Sequence, residues 1–362
     1  MNKNRPPRRG WQAAALGLAA VLGGCEAAAR LEDLVRWGIP LGHPAARRGD
    51  IVARGPEGMH GRPSTMIQGW AMNSQGTRGP EFAVPRPPGT WRIVVAGASE
   101  MFGLTEPPGR EFARQLEDSL RAACPARAVE VVNTALPGMT LPTAARDLST
   151  RVARFEPDVV LYGTTPAQYL ADSLPRPAAP AAALVPLPRV RSRAWPRFVS
   201  ALRAAVPEPV TSWATERAWQ RAGRRHGSGW RFESLPGERL AAFEADLRGL
   251  VGSARSTGAA VVLLPHAHAL GRPPGRERDR LLAAWRRFTP RATGPTLLAF
   301  DSAAAEVSRQ VAADSGVAWI DPRPVLGRDP GAHFTDFAHF TDLGAARLAG
   351  LVGRSLAPRG GC

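Results

Sequence analysis

Trp91-Arg92-Ile93-Val94-Val95-Ala96-Gly97 constrains the fold more than any other stretch of the chain. A short apolar run rich in β-branched residues, bounded by glycine and proline, reads as a buried strand. It ends on the small-residue turn Gly97-Ala98-Ser99, and a helical pattern follows further on. Open parallel sheets gather their ligands just past the carboxyl ends of the strands. Ser99 stands at such a place, and it becomes a nucleophile if a histidine reaches it.

From there strand-like and helix-like runs alternate. Phe112, Leu116 and Leu120 recur at helical spacing and predict a helix over Glu111–Ala123. Strands follow at Val129–Ala135, Asp158–Tyr162, Ala259–Pro265 and Val317–Asp321. Helices are expected at Thr143–Phe155, Leu240–Ser256, Glu277–Phe288, Ser302–Asp314 and Thr341–Leu356. This order predicts an α/β fold, a parallel sheet with helices on both faces. With 362 residues, 44% of them hydrophobic, the chain can bury a large core. We divide it into a targeting or anchor segment (1–24), an irregular extension with short strands (25–90), the α/β body (91–356) and a short tail (357–362). Within the extension, Asn73 to Glu81 reads as a turn or hairpin leading into the first core strand. An outlier rich in proline, alanine and arginine interrupts the body at 168–236. It carries Trp195, Trp213, Trp219 and Trp230. A lid, a membrane-facing arm, a partly disordered insertion and a helical excursion with locally packed tryptophans all fit it.

Lys3, Arg5, Arg8 and Arg9 precede the apolar run Trp11–Gly24. That run is shorter than the roughly 20 residues an ordinary membrane span needs, and it reads as a secretory signal. It closes on Leu22-Gly23-Gly24-Cys25, which resembles the lipobox of bacterial lipoproteins. The resemblance implies lipidation of Cys25, and Arg8-Arg9 hints at twin-arginine export. The alternative is an uncleaved anchor helix running on to Leu31. Either way the body belongs to the bacterial cell envelope, held at a membrane on the periplasmic side. There Cys124 and Cys362 can pair, or stay as a buried thiol and a loose end.

The formal charge of +16 raises nucleic acid as a partner. Lys3 is the only lysine, however, and the arginines are scattered without a long run. We therefore expect no nucleic-acid partner, and a mildly basic surface suits anionic lipid or polymer better.

A serine attacks an acyl carbon when a base takes its proton and a third group holds that base's tautomer. Asp336 and His339, three residues apart on a turn, can supply both. Asp321 and Asp301 are rival orienting acids. His266 and His268 raise a metal, but on a strand alternate residues point to opposite faces, so we expect none. The run Gly97–Gly103 lacks the lysine and hydroxyl ending of a phosphate loop, and no cofactor is expected.

Three blocks in order, Gly97-Ala98-Ser99, Asn133-Thr-Ala-Leu-Pro-Gly138 and Asp336-Phe-Ala-His339-Phe-Thr341, resemble the SGNH/GDSL hydrolases. The resemblance implies a flavodoxin-like three-layer α/β/α sandwich and hydrolysis of acyl or acetyl esters on small molecules, lipids or polysaccharides. Some relatives instead transfer acetyl groups to polysaccharide. It makes Ser99 the nucleophile, His339 the base and Asp336 its orienting acid. The oxyanion would be held by the backbone N–H of Ser99, by Gly138 and by a block-three asparagine. Asn133 is either a substrate contact or a local backbone partner. The chain departs from the pattern twice: Ala98 replaces the usual aspartate, and Thr165 stands where the asparagine is expected. Losing one such donor costs about 100- to 1,000-fold in rate. Gln168 is a candidate substitute amide. The departure also keeps open a non-catalytic relative that binds a glycan or a partner.

Overall fold

The structure, a computed structural model, describes residues 8–185, 187, 191–227, 229–271 and 275–362. Lys3 and Arg5 lie outside the described residues. The chain opens on one long helix, α1 (Arg8–Trp37), which runs through the Gly23-Gly24 pair without a break. Its Trp11–Trp37 portion is long and apolar enough to cross a membrane by length and composition, a property it shares with secretory signals. Two small antiparallel hairpins follow, β1 (Val52–Gly55) with β2 (Gly58–Gly61), and β3 (Met66–Ile67) with β4 (Trp70–Ala71).

The predicted strand at 91 is β5 (Trp91–Gly97), and all of its residues are buried. After it come α2 (Ser99–Phe102), α3 (Phe112–Ala123), β6 (Val129–Asn133), α4 (Leu141–Thr150) and β7 (Val159–Gly163). The interruption carries α5 (Ala194–Ala204) and α6 (Glu208–His226). The body resumes with α7 (Gly237–Arg255), β8 (Ala260–Leu264), α8 (Arg276–Arg286), α9 (Gly294–Ser315) and β9 (Ala318–Trp319). Two single turns, α10 (Arg323–Leu326) and α11 (Pro330–His333), precede α12 (Asp342–Leu356).

The sheet order is β6-β5-β7-β8-β9, every pairing parallel. That is the flavodoxin-like order, with its reversal point between β5 and β7. Helices α3 and α12 pack on each other, while α4, α7 and α9 form a second group. Ile93, Val94, Val95, Val160, Leu161, Val262 and Leu263 are fully buried in between. Each such side chain contributes roughly 1.5–3 kcal/mol relative to exposure. Arg92 sits in the same strand at 0% exposure because Glu130, 2.7 Å away, and the carbonyls of Phe155 and Ala83 take up its guanidinium.

Three boundaries differ from the sequence expectation. α9 starts at Gly294 rather than near Ser302, since the Thr293 side chain caps it by accepting from the Thr296 N–H and Pro295 suits its first turn. β9 is a two-residue edge strand. The helix expected to run to Phe155 ends at Thr150 and tightens into a 3-10 turn over Val152–Phe155. At the far end, Cys124 and Cys362 form a disulfide, and Gly360 packs on Trp91, so the last residues are clasped to the body.

Candidate active site

β5 leads into Ser99, the candidate nucleophile. Gly97 has φ +147°, and a Cβ there would lie 2.7 Å from Met101 Cγ and 2.9 Å from the Gly163 carbonyl. Glycine permits this close approach of strand, neighbouring strand and turn. Ser99 opens α2, so its hydroxyl stands at the carboxyl edge of the sheet beside the reversal point.

His339 comes from the loop between α11 and α12. Phe334 and Phe340 form an isolated bridge across that loop, and the Thr335 N–H donates to the His339 carbonyl at 2.8 Å. The Thr105 hydroxyl donates to the Phe340 carbonyl at 2.7 Å, tying the loop to the chain just after the nucleophile. Thr341 caps α12 by accepting from the Gly344 N–H at 3.0 Å, and a side chain at Gly344 would collide with the His333 carbonyl. Both residues therefore fix where the histidine ends up.

The ends of the chain meet. Ser99 Oγ lies 2.9 Å from His339 Nε2, and His339 Nδ1 lies 2.7 Å from Asp336 Oδ2. The other Asp336 oxygen accepts from the N–H groups of Ala338 and His339, both at 2.9 Å. The carboxylate is thus locked toward the ring. Burial by itself would hold His339 neutral, but the Asp336 hydrogen bond and the nearby carboxylates Glu100 and Glu106 outweigh it and raise its pKa. Burial also works against the Asp336 charge, yet the same hydrogen bond prevails and lowers its pKa. A serine hydroxyl, an imidazole and a carboxylate in this order can perform nucleophilic acyl chemistry.

An acetylxylan esterase from Geobacillus stearothermophilus is similar in structure, with TM-score 0.43 and 16% identity over 74% of this chain and 94% of the other. A lipase/acylhydrolase from Enterococcus faecalis gives 0.42 and 16% over 74% and 96%. An alpha/beta hydrolase from the metagenome of Lake Arreo gives 0.42 and 15% over 75% and 95%. No protein-family model and no curated protein matches the chain.

The remaining predicted residues divide clearly. Gly138 sits at φ +76° on the loop after β6, and that loop is held beside β5 by the Leu136 N–H donating to the Gly97 carbonyl at 3.1 Å. Gln168 does not reach toward the serine; its amide donates to the Met139 carbonyl at 3.0 Å and braces the Gly138 loop. Asn133 is 1% exposed, and its amide donates to the carbonyls of Met101 and Phe102. Its side chain faces the backbone of α2 rather than the cleft, which corrects the substrate-contact expectation. The Thr165 hydroxyl donates to Glu100 at 3.4 Å. Of the rival acids, Asp321 pairs with Arg323 at 2.7 Å, and Asp301 accepts from His266 at 2.6 Å.

Strand alternation misreads the histidine pair. β8 ends at Leu264, so His266 and His268 lie beyond it and both turn toward Asp301, at 2.6 and 3.5 Å. Among the described residues no cluster of three or more His, Cys, Asp or Glu side chains is arranged to hold a metal. Instead His266 bridges Asp301 to Glu100, the latter 3.7 Å away, and a Glu100 carboxylate oxygen lies 3.4 Å from Ser99 Oγ. Burial opposes a charge on His266, but Asp301 and Glu100 outweigh it and raise its pKa.

Two more buried charges escaped the sequence reading. Arg78, 3% exposed, donates to the Phe102 and Gly103 carbonyls at the end of α2 and lies 4.7 Å over the Phe102 ring. Its backbone bridges Asn133. The extension therefore buttresses the nucleophile turn, and the dense run Asn73-x-x-Gly76-x-Arg78-Gly79 was the available signal. Glu106, also buried, is pushed up to about 7 by desolvation.

Proposed function

We propose that this protein is an exported, membrane-tethered serine esterase of the SGNH/GDSL type that cleaves acyl or acetyl esters through an acyl-enzyme on Ser99. The observation that carries the reading is the unbroken chain of contacts from Ser99 Oγ through both nitrogens of His339 to Asp336, at 2.9 and 2.7 Å. His339 Nε2 takes the serine proton as Oγ bonds to the ester carbonyl carbon. The charge that develops on the carbonyl oxygen is met by the N–H groups of Ser99 and Gly138, donors fixed in place before reaction. His339 then returns the proton to the departing alkoxide as the carbon–oxygen bond breaks. Water repeats the sequence in reverse and frees the acid and the serine.

An acylated small molecule, lipid or polysaccharide is the proposed substrate. The tether is α1 or a lipid on Cys25, on the periplasmic side of the envelope. A small acetyl ester tests the reading: turnover should fall by about 10⁵- to 10⁶-fold in Ser99→Ala. Full activity in that variant sinks the serine mechanism. One observation favours a second reading, a glycan- or partner-binding relative: the Thr165 hydroxyl donates to Glu100 rather than standing free as an oxyanion donor. A folded wild-type protein that binds glycan without turning over any ester would decide for it.

A further inference from the structure

Helix α5 is tied at its first residues to α1. Glu26 of α1 accepts from the Ser192 hydroxyl at 2.8 Å and from the backbone N–H groups of Arg193 and Ala194 at 2.9 and 3.1 Å. One α1 carboxylate thus satisfies the orphan donors at the start of α5. Burial opposes the charge on Glu26, yet these bonds hold it down at about 2. Asp33, one helical repeat further along α1, pairs with Arg193 at 3.3 Å and Arg197 at 2.5 Å. The Arg193 guanidinium also donates to the carbonyls of Pro40 and His43. Arg193 and Asp33 are both buried.

The face of α5 turned away from this lock is apolar and open. Trp195, Phe198 and Leu202, spaced as one helical stripe, are 59%, 54% and 54% exposed. Val206, Val210 and Trp213 continue the open apolar surface into α6 at 43%, 51% and 58%. Soluble surfaces rarely string so many large apolar side chains together. Arg203 and Arg217 accompany them, and Arg217 lies 4.8 Å over the Trp213 ring. Tryptophan, phenylalanine and leucine beside arginine compose a helix that lies in a membrane interface.

The position of the lock supplies the occupant. Trp11 to Cys25 is a run of 15 residues without a charge, about 22 Å of bilayer core at 1.5 Å per residue. Glu26 is the first charged residue after Trp11. If α1 is the anchor, α5 starts where α1 leaves the lipid. If Cys25 carries a lipid, α5 is bonded to the very next residue. Both forms of the tether bring α5 to the bilayer surface. The arginines match anionic headgroups, which attract such side chains.

We infer that the Trp195–Trp213 face of α5 and α6 docks on the anionic bilayer that holds the tether, lying in the headgroup region. This rests on the membrane tether proposed above. The test uses the full chain reconstituted in phosphatidylethanolamine–phosphatidylglycerol vesicles, with or without lipids brominated on their acyl chains. Flotation with the vesicles reports the tether. The difference in emission between wild type and the Trp195→Phe/Trp213→Phe variant reports the face. That difference should be blue-shifted and lose about half its intensity or more to the brominated lipid. In Phe198→Glu/Leu202→Glu the quenching should disappear while turnover of a soluble ester persists. A water-like, unquenched difference signal in protein that floats overturns the docking and leaves the tether standing. A blue-shifted signal that brominated lipid does not quench also overturns it, and shows a second copy or another protein on the face. Protein that fails to float refutes the tether itself, and the docking with it.

Discussion

The sandwich from β5 to α12 and the helical excursion of α5 and α6 are built on opposite terms. In β5 and β7 every residue is buried, whereas α5 has no buried residue and turns Trp195, Phe198 and Leu202 outward. The sandwich is held by apolar area removed from water. The excursion is fastened through charge, by Glu26, Asp33, Arg193 and Arg197. Hydrophobic sequence therefore reports the chain's own core in one region and an outside surface in the other. Chemistry follows the same division, because only the rigid region can hold three side chains within hydrogen-bond distance.

The largest test of that contrast lies at the rigid end. Asp336→Asn should lower turnover by about 10⁴-fold with melting temperature unchanged, since the ring loses the partner that fixes its tautomer. Next comes a matched pair measured by urea unfolding. Leu161→Ala should cost about 2–5 kcal/mol by opening a cavity in the sheet, and Trp195→Ala should stay within about 0.5 kcal/mol. Equal costs would erase the distinction. A smaller effect concerns pH. His339 must be neutral to accept the serine proton, and its pKa is raised, so activity should climb with pH through a midpoint above the ordinary histidine value. Removing one contributing charge in Glu100→Gln should move that acidic limb to lower pH; an unmoved limb would leave Asp336 and Glu106 as the sources. Smallest, Glu26→Ala should loosen the start of α5 by about 1 kcal/mol, the usual worth of a helix cap. Hydrogen exchange would show faster amides at 193–195 with β5 protection intact.

The strands and the Ser99–Asp336–His339 set were legible because each rests on a local pattern: a buried apolar run, a small turn, a carboxylate three residues before a histidine; the sheet's strand order is not local, and only the resemblance implied it. The Thr293 cap was equally local and was passed over for the stronger apolar pattern near Ser302. Arg78 and Glu100 were not legible as parts of the site, and Asp301 was read only as a rival orienting acid, not as the partner of His266. A lone charged residue reads as solvent-facing until its partners are known, and those of Arg78 and Asp301 lie 24 and 35 residues away. Strand alternation placed His266 and His268 on opposite faces, but it does not extend past Leu264, where the strand stops. Thr165 and Gln168 were rightly noticed and wrongly aimed, because side-chain chemistry alone does not say which way a hydroxyl or an amide turns.

Met101 sits 4% exposed between Gly97 and Gly163, where even a methyl group added to either glycine would strike it. Its thioether is the wedge on which the nucleophile turn rests. An oxygen atom gained by that sulfur, as in methionine sulfoxide, would turn this apolar wedge into a polar and bulkier group. Peroxide reaching the interior would thus displace the serine while leaving serine, imidazole and carboxylate chemically untouched. Oxidative damage would then be felt as lost alignment, and a sulfoxide reductase could restore it.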